Sequence, residues 1–233
     1  MKPLRAIAPG LWSAETQLVL PGGVRLPARM LVVALAGGEL LLWSPIAIDE
    51  VLATALEDLG RVRYIAAPNR FHHLFLRAAK ARFPEAGLWA PKALAAKYPD
   101  LDVQGLWEED RPPFAPEVEI LALEGAPRVQ EVALFHPQSR SLALTDYLFH
   151  VREAKTFGTR LLFTMVRAYG KLAQSLTWRF FIRDRRAAAQ SLRRLLELDF
   201  DRLIVAHGEI VEQGGKEALR QATAWLLPRE AAR

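Results

Sequence analysis

The chain has 233 residues, of which 51% are hydrophobic and 24% charged. That is enough for one large domain or two small ones with a full core, and it excludes a disordered chain. Lys and Arg number 31 against 26 Asp and Glu, a formal charge of +5, which admits an anionic ligand without demanding one. There is no cysteine, so disulfides and thiolate metal sites are excluded and any metal must rest on His, Asp or Glu.

The stretch up to Glu15 holds no apolar run of the length a secretory signal needs. The most apolar long window, Arg160 to Ile182, is interrupted by Arg167, Lys171 and Arg179, which argues against a membrane span. The expectation is a cytoplasmic protein without membrane association. No Pro/Gly/Ser-rich boundary divides the chain, so one domain over 1–233 is expected.

In chain order, Arg29–Val33 and Glu39–Trp43 flank Gly37-Gly38 and predict a hairpin, the glycines supplying positive φ. Ile48–Leu59 has helical apolar spacing and stops at Gly60. Val62–Ala66 reads as a buried strand, and Asn69 as the cap of a helix running through Leu74, Leu76, Ala79 and Phe83. A strand at Leu88–Ala90 and a short helix at Lys92–Tyr98 follow, before Arg111-Pro112-Pro113 breaks the chain. Val118–Leu123 predicts a strand; Glu131–Phe135 and Ser141–Thr145 predict a second hairpin around residues 137–140. Tyr147–Ile182 is the least readable stretch, helical with irregular breaks. A helix at Ala187–Leu198, a strand at Leu203–Ala206 and a closing amphipathic helix at Lys216–Leu226 complete the chain. Strands then helices, twice over, fit mixed sheets with helices on their outer faces.

The chain spends two of its five histidines side by side, in "IAAPNRFHHLFL". Functional side chains often lie just past strand ends, on loops held by a rigid scaffold. His72 and His73 follow the strand ending near Ala66, Asp146 follows Ser141–Thr145, and His207 follows Leu203–Ala206. If these strands share one sheet edge, the four side chains converge into a nitrogen-and-oxygen site suited to zinc, iron or manganese. The bland alternatives are that an isolated His-His pair binds nothing and that Asp146 is only a cap. His136 and His150 read as surface or turn residues.

The order of these features resembles the metallo-β-lactamase fold superfamily over nearly the whole length. "RMLVVALAGGELLLWSP" is similar to its opening hairpin, and "RYIAAPNRFHHLF" to the strand and loop that carry His-x-His-x-Asp-His. "VQEVALFHPQSRSLALTDYLF" is similar to the later hairpin ending in a metal-bridging Asp, and "FDRLIVAHGEIV" to the final strand with its His-Gly. The resemblance implies an α+β fold, a four-layer αββα sandwich with its site along one edge of the paired sheets. It also implies hydrolysis of esters, thioesters, lactams or phosphodiesters, or in some members redox chemistry.

The departures limit what carries over. Setting His73 on the motif's last histidine puts His72 on its aspartate, Arg70 on its second histidine and Pro68 on its first. The next metal-binding histidine of the pattern falls near Pro127, and Ser44-Pro45-Ile46 replaces Asp-x-Gly. The ligands of the first metal site are therefore absent, while His73, Asp146 and His207 match the second and His72 offers a further ligand. The resemblance thus implies one divalent metal (zinc, iron or manganese) on His72, His73, Asp146 and His207, or no metal at all.

Four ligands would close a tetrahedral site, which leaves His72 as the natural general base if it is not a ligand. Arg70 offers a planar fork of donors for a substrate carboxylate or phosphate, and Asn69 could orient a carbonyl. Two functions are expected: a mononuclear metal-dependent hydrolase of a small ester-like or phosphoester-like substrate, or a catalytically degenerate member that binds ligands or proteins. A small-molecule partner, anionic on the Arg70 reading, is expected, and a homo-oligomer is compatible.

The run Trp178-Arg179-Phe180-Phe181-Ile182-Arg183-Asp184-Arg185-Arg186 interleaves aromatics with arginines, as nucleic-acid surfaces do. A half-buried helix with a cationic outer face is the favoured reading, so no nucleic-acid partner is expected. The same aromatics could line a substrate pocket. Trp12, Trp43, Trp89, Trp107 and Trp225 read as core or interface residues. No Gly-rich phosphate loop or Gly-x-Ser-x-Gly elbow is present, so serine hydrolysis lacks support.

Overall fold

Period-two alternation in strand β3 (Val24–Ala34) sets the layer order, because its residues divide between two cores. Met30 and Val32 pack on one face, and Leu31 and Val33 on the other. Strand β4 (Glu39–Trp43) splits in the same way, Leu40 and Leu42 against Leu41 and Trp43. A strand buried on both faces needs cover on both sides, so this sheet lies inside the molecule.

The computed structural model describes residues 3–115 and 117–227. Seven strands form the first sheet in chain order: β1 (Arg5–Ala8), β2 (Leu11–Leu20), β3, β4, β5 (Arg61–Ala66), β6 (Gly87–Ala90) and β7 (Val103–Leu106). The β1–β4 pairings are antiparallel, and β4 through β7 run parallel. The second sheet has four strands, β8 (Glu119–Leu123), β9 (Glu131–His136), β10 (Ser141–Leu144) and β11 (Arg202–Val205), in the order β11-β10-β9-β8. Only its β10–β11 pair is parallel.

Helices α1 (Glu50–Leu59), α2 (Leu76–Arg82) and α3 (Lys92–Lys97) cover the first sheet and share its outer core with Leu52, Leu56, Leu76 and Leu94. The inner core lies between the sheets, where Leu31, Leu41 and Trp43 meet Val132, Leu134 and Ile204. A third core packs the second sheet against α5 (Leu176–Phe181), α6 (Arg185–Glu197) and α7 (Gly215–Thr223). Three cores separate four layers, which makes the fold an α+β αββα sandwich.

Local chemistry sets the ends. Asp49 caps α1 by accepting from the Leu52 N–H, and Gly60 follows its last turn. Asp184, Ser175 and Thr156 cap α6, α5 and α4 (Phe157–Met165) in the same way. Both hairpins form as expected, with Leu31 opposite Trp43 and Ser141 opposite His136.

Three expectations are corrected. Asn69 does not start a helix: α2 begins at Leu76, and the Asn69 side chain closes a tight turn by accepting from the Phe71 and His72 N–H groups. Strands β1 and β2 lie within residues 5–20, where the sequence pattern predicts no strand. His136 does open the turn Pro137–Ser139, but it is buried at the end of β9, not at the surface, and shares a hydrogen bond with Ser139. The stretch 147–182 contains α4 and α5, and two single bridges, Phe149–Ala173 and Val151–Tyr169, pair the segment before α4 with the one between the two helices.

Candidate metal centre

Strand ends bring the site together. β10 and β11 run parallel with Leu144 beside Val205, so the residues that leave them, Thr145-Asp146 and Ala206-His207, emerge on the same edge. β4 and β5 end together in the other sheet, Trp43 beside Ala66, and the Ser44 N–H donates to the Ala66 carbonyl. The Asn69 turn then carries His72 back over that edge. Contributions from both sheets meet in the seam between them.

His72, Asp146 and His207 each present one ligand atom, and these atoms lie within 4.8 Å of one another. His72 Nε2 is 3.2 Å from Asp146 Oδ2, and His207 Nε2 is 3.3 Å from Oδ1. Each imidazole is held by its other nitrogen. His207 Nδ1 lies 2.7 Å from the Pro27 carbonyl oxygen, and His72 Nδ1 lies 2.5 Å from Ser44 Oγ. Phe149 stacks on His207 with ring centroids 5.2 Å apart.

Asn69 is fully buried and joins the two halves: its Nδ2 donates to Asp146 Oδ2 at 2.8 Å and to Thr145 Oγ1 at 3.0 Å. Beneath it, Glu131 accepts from the Thr145 and Tyr147 N–H groups at 2.8 and 3.2 Å, which fixes the backbone on both sides of Asp146. Arg29 of β3, itself buried, donates to the Val205 and Gly208 carbonyls and pairs with Glu15, clamping the His207 loop. Gly208 follows at φ 113°, where a Cβ would run into the His150 carbonyl, so only glycine fits.

The charges are strongly coupled. Burial alone would push the Asp146 carboxyl up, but the charge of His72 and the hydrogen bonds of His207 and His72 hold it well below the usual carboxylate range. Burial opposes the charging of His207, yet its hydrogen bond to Asp146 and the charge there raise it above the ordinary imidazole value. Glu131 is pushed up to about 7, by burial first and by the Asp146 charge second.

Of the residues expected at the site, the structure brings together His72, Asp146 and His207. It does not bring in His73, whose Nδ1 lies 3.0 Å from the Arg70 carbonyl and whose ring stacks on Tyr98 at 5.1 Å. Asn69 lies under the cluster, enclosed by protein. The Arg70 guanidinium rests on the Arg128 carbonyl at an exposed position. The sequence pattern does not mark Ser44, Pro27, Arg29 or Glu131 as site residues. Only Ser44 carried a signal, as the residue standing where Asp-x-Gly was expected.

The residues present fit a divalent cation. The Pro27 carbonyl can only accept, so His207 Nδ1 carries a proton and a neutral ring turns the Nε2 lone pair toward Asp146 Oδ1. Two lone pairs do not face one another at that distance without a proton or a cation between them. Two nitrogens and an oxygen, each imidazole anchored by its far nitrogen, make the donor set and outer support that zinc, iron or manganese sites use.

The sequence model of the family described as "Domain of unknown function (DUF4336)" matches residues 10–162. The chain belongs to this family. The matched span of this DUF4336 protein includes His72 and Asp146 but ends before His207. No curated protein matches the sequence.

The fold of this DUF4336 member is that of the metallo-β-lactamases. A metallo-β-lactamase from Pontibacter korlensis superposes with a TM-score of 0.64 at 14% identity, covering 96% of this chain and 97% of that one. FIM-1 from Pseudomonas aeruginosa, in its mono-zinc form, gives 0.63 at 13%, over 97% and 96%. A metallo-β-lactamase from Erythrobacter litoralis gives 0.63 at 17%, over 96% and 91%. At these identities the likeness establishes the fold and nothing about the reaction. No helix among the described residues is long and apolar enough to cross a membrane.

Proposed function

We propose that this protein is a mononuclear metal-dependent hydrolase of a small ester-like or phosphoester-like substrate, with His72, Asp146 and His207 as its metal ligands. The observation that carries the reading is the Asp146 carboxylate set between two imidazole Nε2 atoms whose far nitrogens are already engaged. Three protein ligands leave a coordination position open, as catalytic sites require. The mono-zinc FIM-1 structure shows that a neighbour of the same fold holds a single zinc.

A bound divalent cation would supply a water acidified to a pKa of about 7 and so nucleophilic at neutral pH. The chain's own part is to hold the donors. Ser44 and the Pro27 carbonyl fix the two ring orientations, and Asn69 holds Asp146 from below. The cavity at the cluster, about 140 Å³ and walled by Leu26, Pro45, Ile46 and Phe75, limits the water that can compete. In hydrolysis the water oxygen bonds to the carbonyl carbon or phosphorus, the bond to the leaving oxygen breaks, and that oxygen takes up the water's proton. Arg70 lies outside this cavity wall, so it would meet an anionic group only beyond the reacting centre.

A second reading is a degenerate, non-catalytic member that binds a ligand or a protein. His73 stands apart from the cluster, so the donor set is the bare minimum of three, and a proton between His207 and Asp146 satisfies the same geometry. Metal analysis after purification without chelator separates the two. About one equivalent in wild type, lost in His207→Ala, supports the hydrolase and calls for a screen of p-nitrophenyl esters and bis(p-nitrophenyl) phosphate. No uptake from zinc, manganese or iron solutions leaves the degenerate reading.

A further inference from the structure

A second cavity of about 320 Å³ adjoins the cluster, within the roughly 300–1,000 Å³ of small-molecule sites. The two spaces share Leu26, Phe71 and Asp146. Beyond Asp146 the larger wall is almost wholly apolar, built by Phe149, Phe163, Val166, Trp178 and Phe181 from the loop after β10 and from α4 and α5. Asp146 is the one ionisable side chain on it, so charge is confined to the end where the two spaces meet. Phe149 also stacks on His207, so the apolar wall and the ligand cluster share a surface. Leu162 and Phe71, 37% and 48% exposed, line the cavity and open it to solvent.

The wall costs the fold something. An apolar pocket filled by water makes poor use of its lining, and a protein without need of it closes such a space with larger side chains. Apart from Asp146, the polar side chains on this wall are the hydroxyls of Ser175 and Thr177, and the Ser175 hydroxyl is already engaged by the Trp178 N–H, so a polar substrate would find few partners along it.

We infer that the substrate of this site carries an extended apolar group, such as an alkyl or acyl chain, which lies between α4 and α5 while its hydrolysable head sits over Asp146. The chain-binding part stands on the cavity alone; the position of the head rests on the metal-hydrolase reading above. Burying each further methylene should tighten binding roughly fourfold.

The test uses neutral ligands, so that the charge of Asp146 plays no part. Metal-free wild type is titrated calorimetrically with 1-hexanol, 1-octanol and 1-decanol, alongside His72→Ala and the cavity-filling variants Leu162→Trp and Val166→Phe. Leu162 is partly exposed, so its replacement leaves the fold intact even if that of Val166 does not; melting curves check both. The expected result is affinity rising with chain length in wild type and in His72→Ala, and lost in a folded filling variant. Chain-length dependence in a protein that takes up no metal upholds the cavity while removing the hydrolase. Affinity that does not change with length, or is unchanged in a folded Leu162→Trp, overturns the inference. Sedimentation showing a stable dimer that excludes the alcohols overturns it as well, since the apolar mouth then serves self-association.

Discussion

His72 and His73 are sequence neighbours that face different surroundings: His72 puts Nε2 3.2 Å from Asp146, whereas His73 turns toward the Arg70 carbonyl and stacks on Tyr98. The split follows from the Asn69 turn, which fixes the His72 N–H and points that side chain into the seam, leaving the next residue on the α2 side.

Metal uptake should therefore divide the pair. His72→Ala is expected to lose the metal, and His73→Ala to keep it with at most a modest loss of stability from the missing stacking, worth about 0.5–1.5 kcal/mol. Metal content of the two purified variants decides the point. Equal loss in both would mean that His73 swings inward and that the ligand set is larger than three.

Ser44 is expected to act through His72. It lies at the end of β4 with φ 59°, an uncommon backbone for a serine, and its Oγ holds the ring nitrogen opposite the ligand atom. Losing such an outer partner typically lowers metal affinity 10- to 100-fold. Competition between Ser44→Ala and a chromogenic chelator measures this, and an unchanged affinity would show that the hydroxyl does not orient the ring.

The sandwich was legible because strands buried on both faces, and hairpins with glycine or proline turns, leave strong local patterns. His207 and Asp146 were legible as polar residues just past apolar strands. The supports were not. The Pro27 carbonyl lies 180 positions from His207, and a backbone acceptor leaves no mark in a sequence. The adjacent histidines were equivalent on paper, since loop residues follow no period that assigns a face. Residues 5–20 escaped as strands because β2 ends in an exposed Val19-Leu20 tip and β1 has no buried face, so clean alternation is missing.

Gly208→Ala should damage the fold and the site together. The position combines φ 113° with the His150 carbonyl where a Cβ would stand, and the Gly208 carbonyl accepts from Arg29. Strain of this kind costs on the order of 1–3 kcal/mol, which for a chain of this size is a melting temperature lower by several degrees. Calorimetry of the metal-free variant reads it directly. A melting point equal to wild type would show that the loop relaxes freely, and His207 could then not be held as rigidly as a ligand requires.

The stability of the metal-free protein should fall as pH rises from weakly acid to alkaline. Glu131 has a folded pKa of about 7 against an ordinary 4.5. Between those values the folded chain holds a proton that the unfolded chain has released, so stability drops through that window, by on the order of 3 kcal/mol. His207 is raised above its ordinary 6.5, so its stabilisation is complete below that value and is lost as pH climbs through its folded pKa. Asp146 works in the opposite sense: its pKa is depressed below the ordinary 3.8, so its contribution is present above that value and is lost as pH falls further. Glu131→Gln retains an oxygen for the Thr145 and Tyr147 N–H groups but cannot ionise, so it should remove the first part of the decline and leave the His207 part. Melting temperatures of both proteins at pH 5 and pH 8 test this. A wild type equally stable at the two pH values, or a variant that declines as steeply, would mean that Glu131 is already ionised near pH 5 and that burial and the neighbouring Asp146 charge do not hold it protonated.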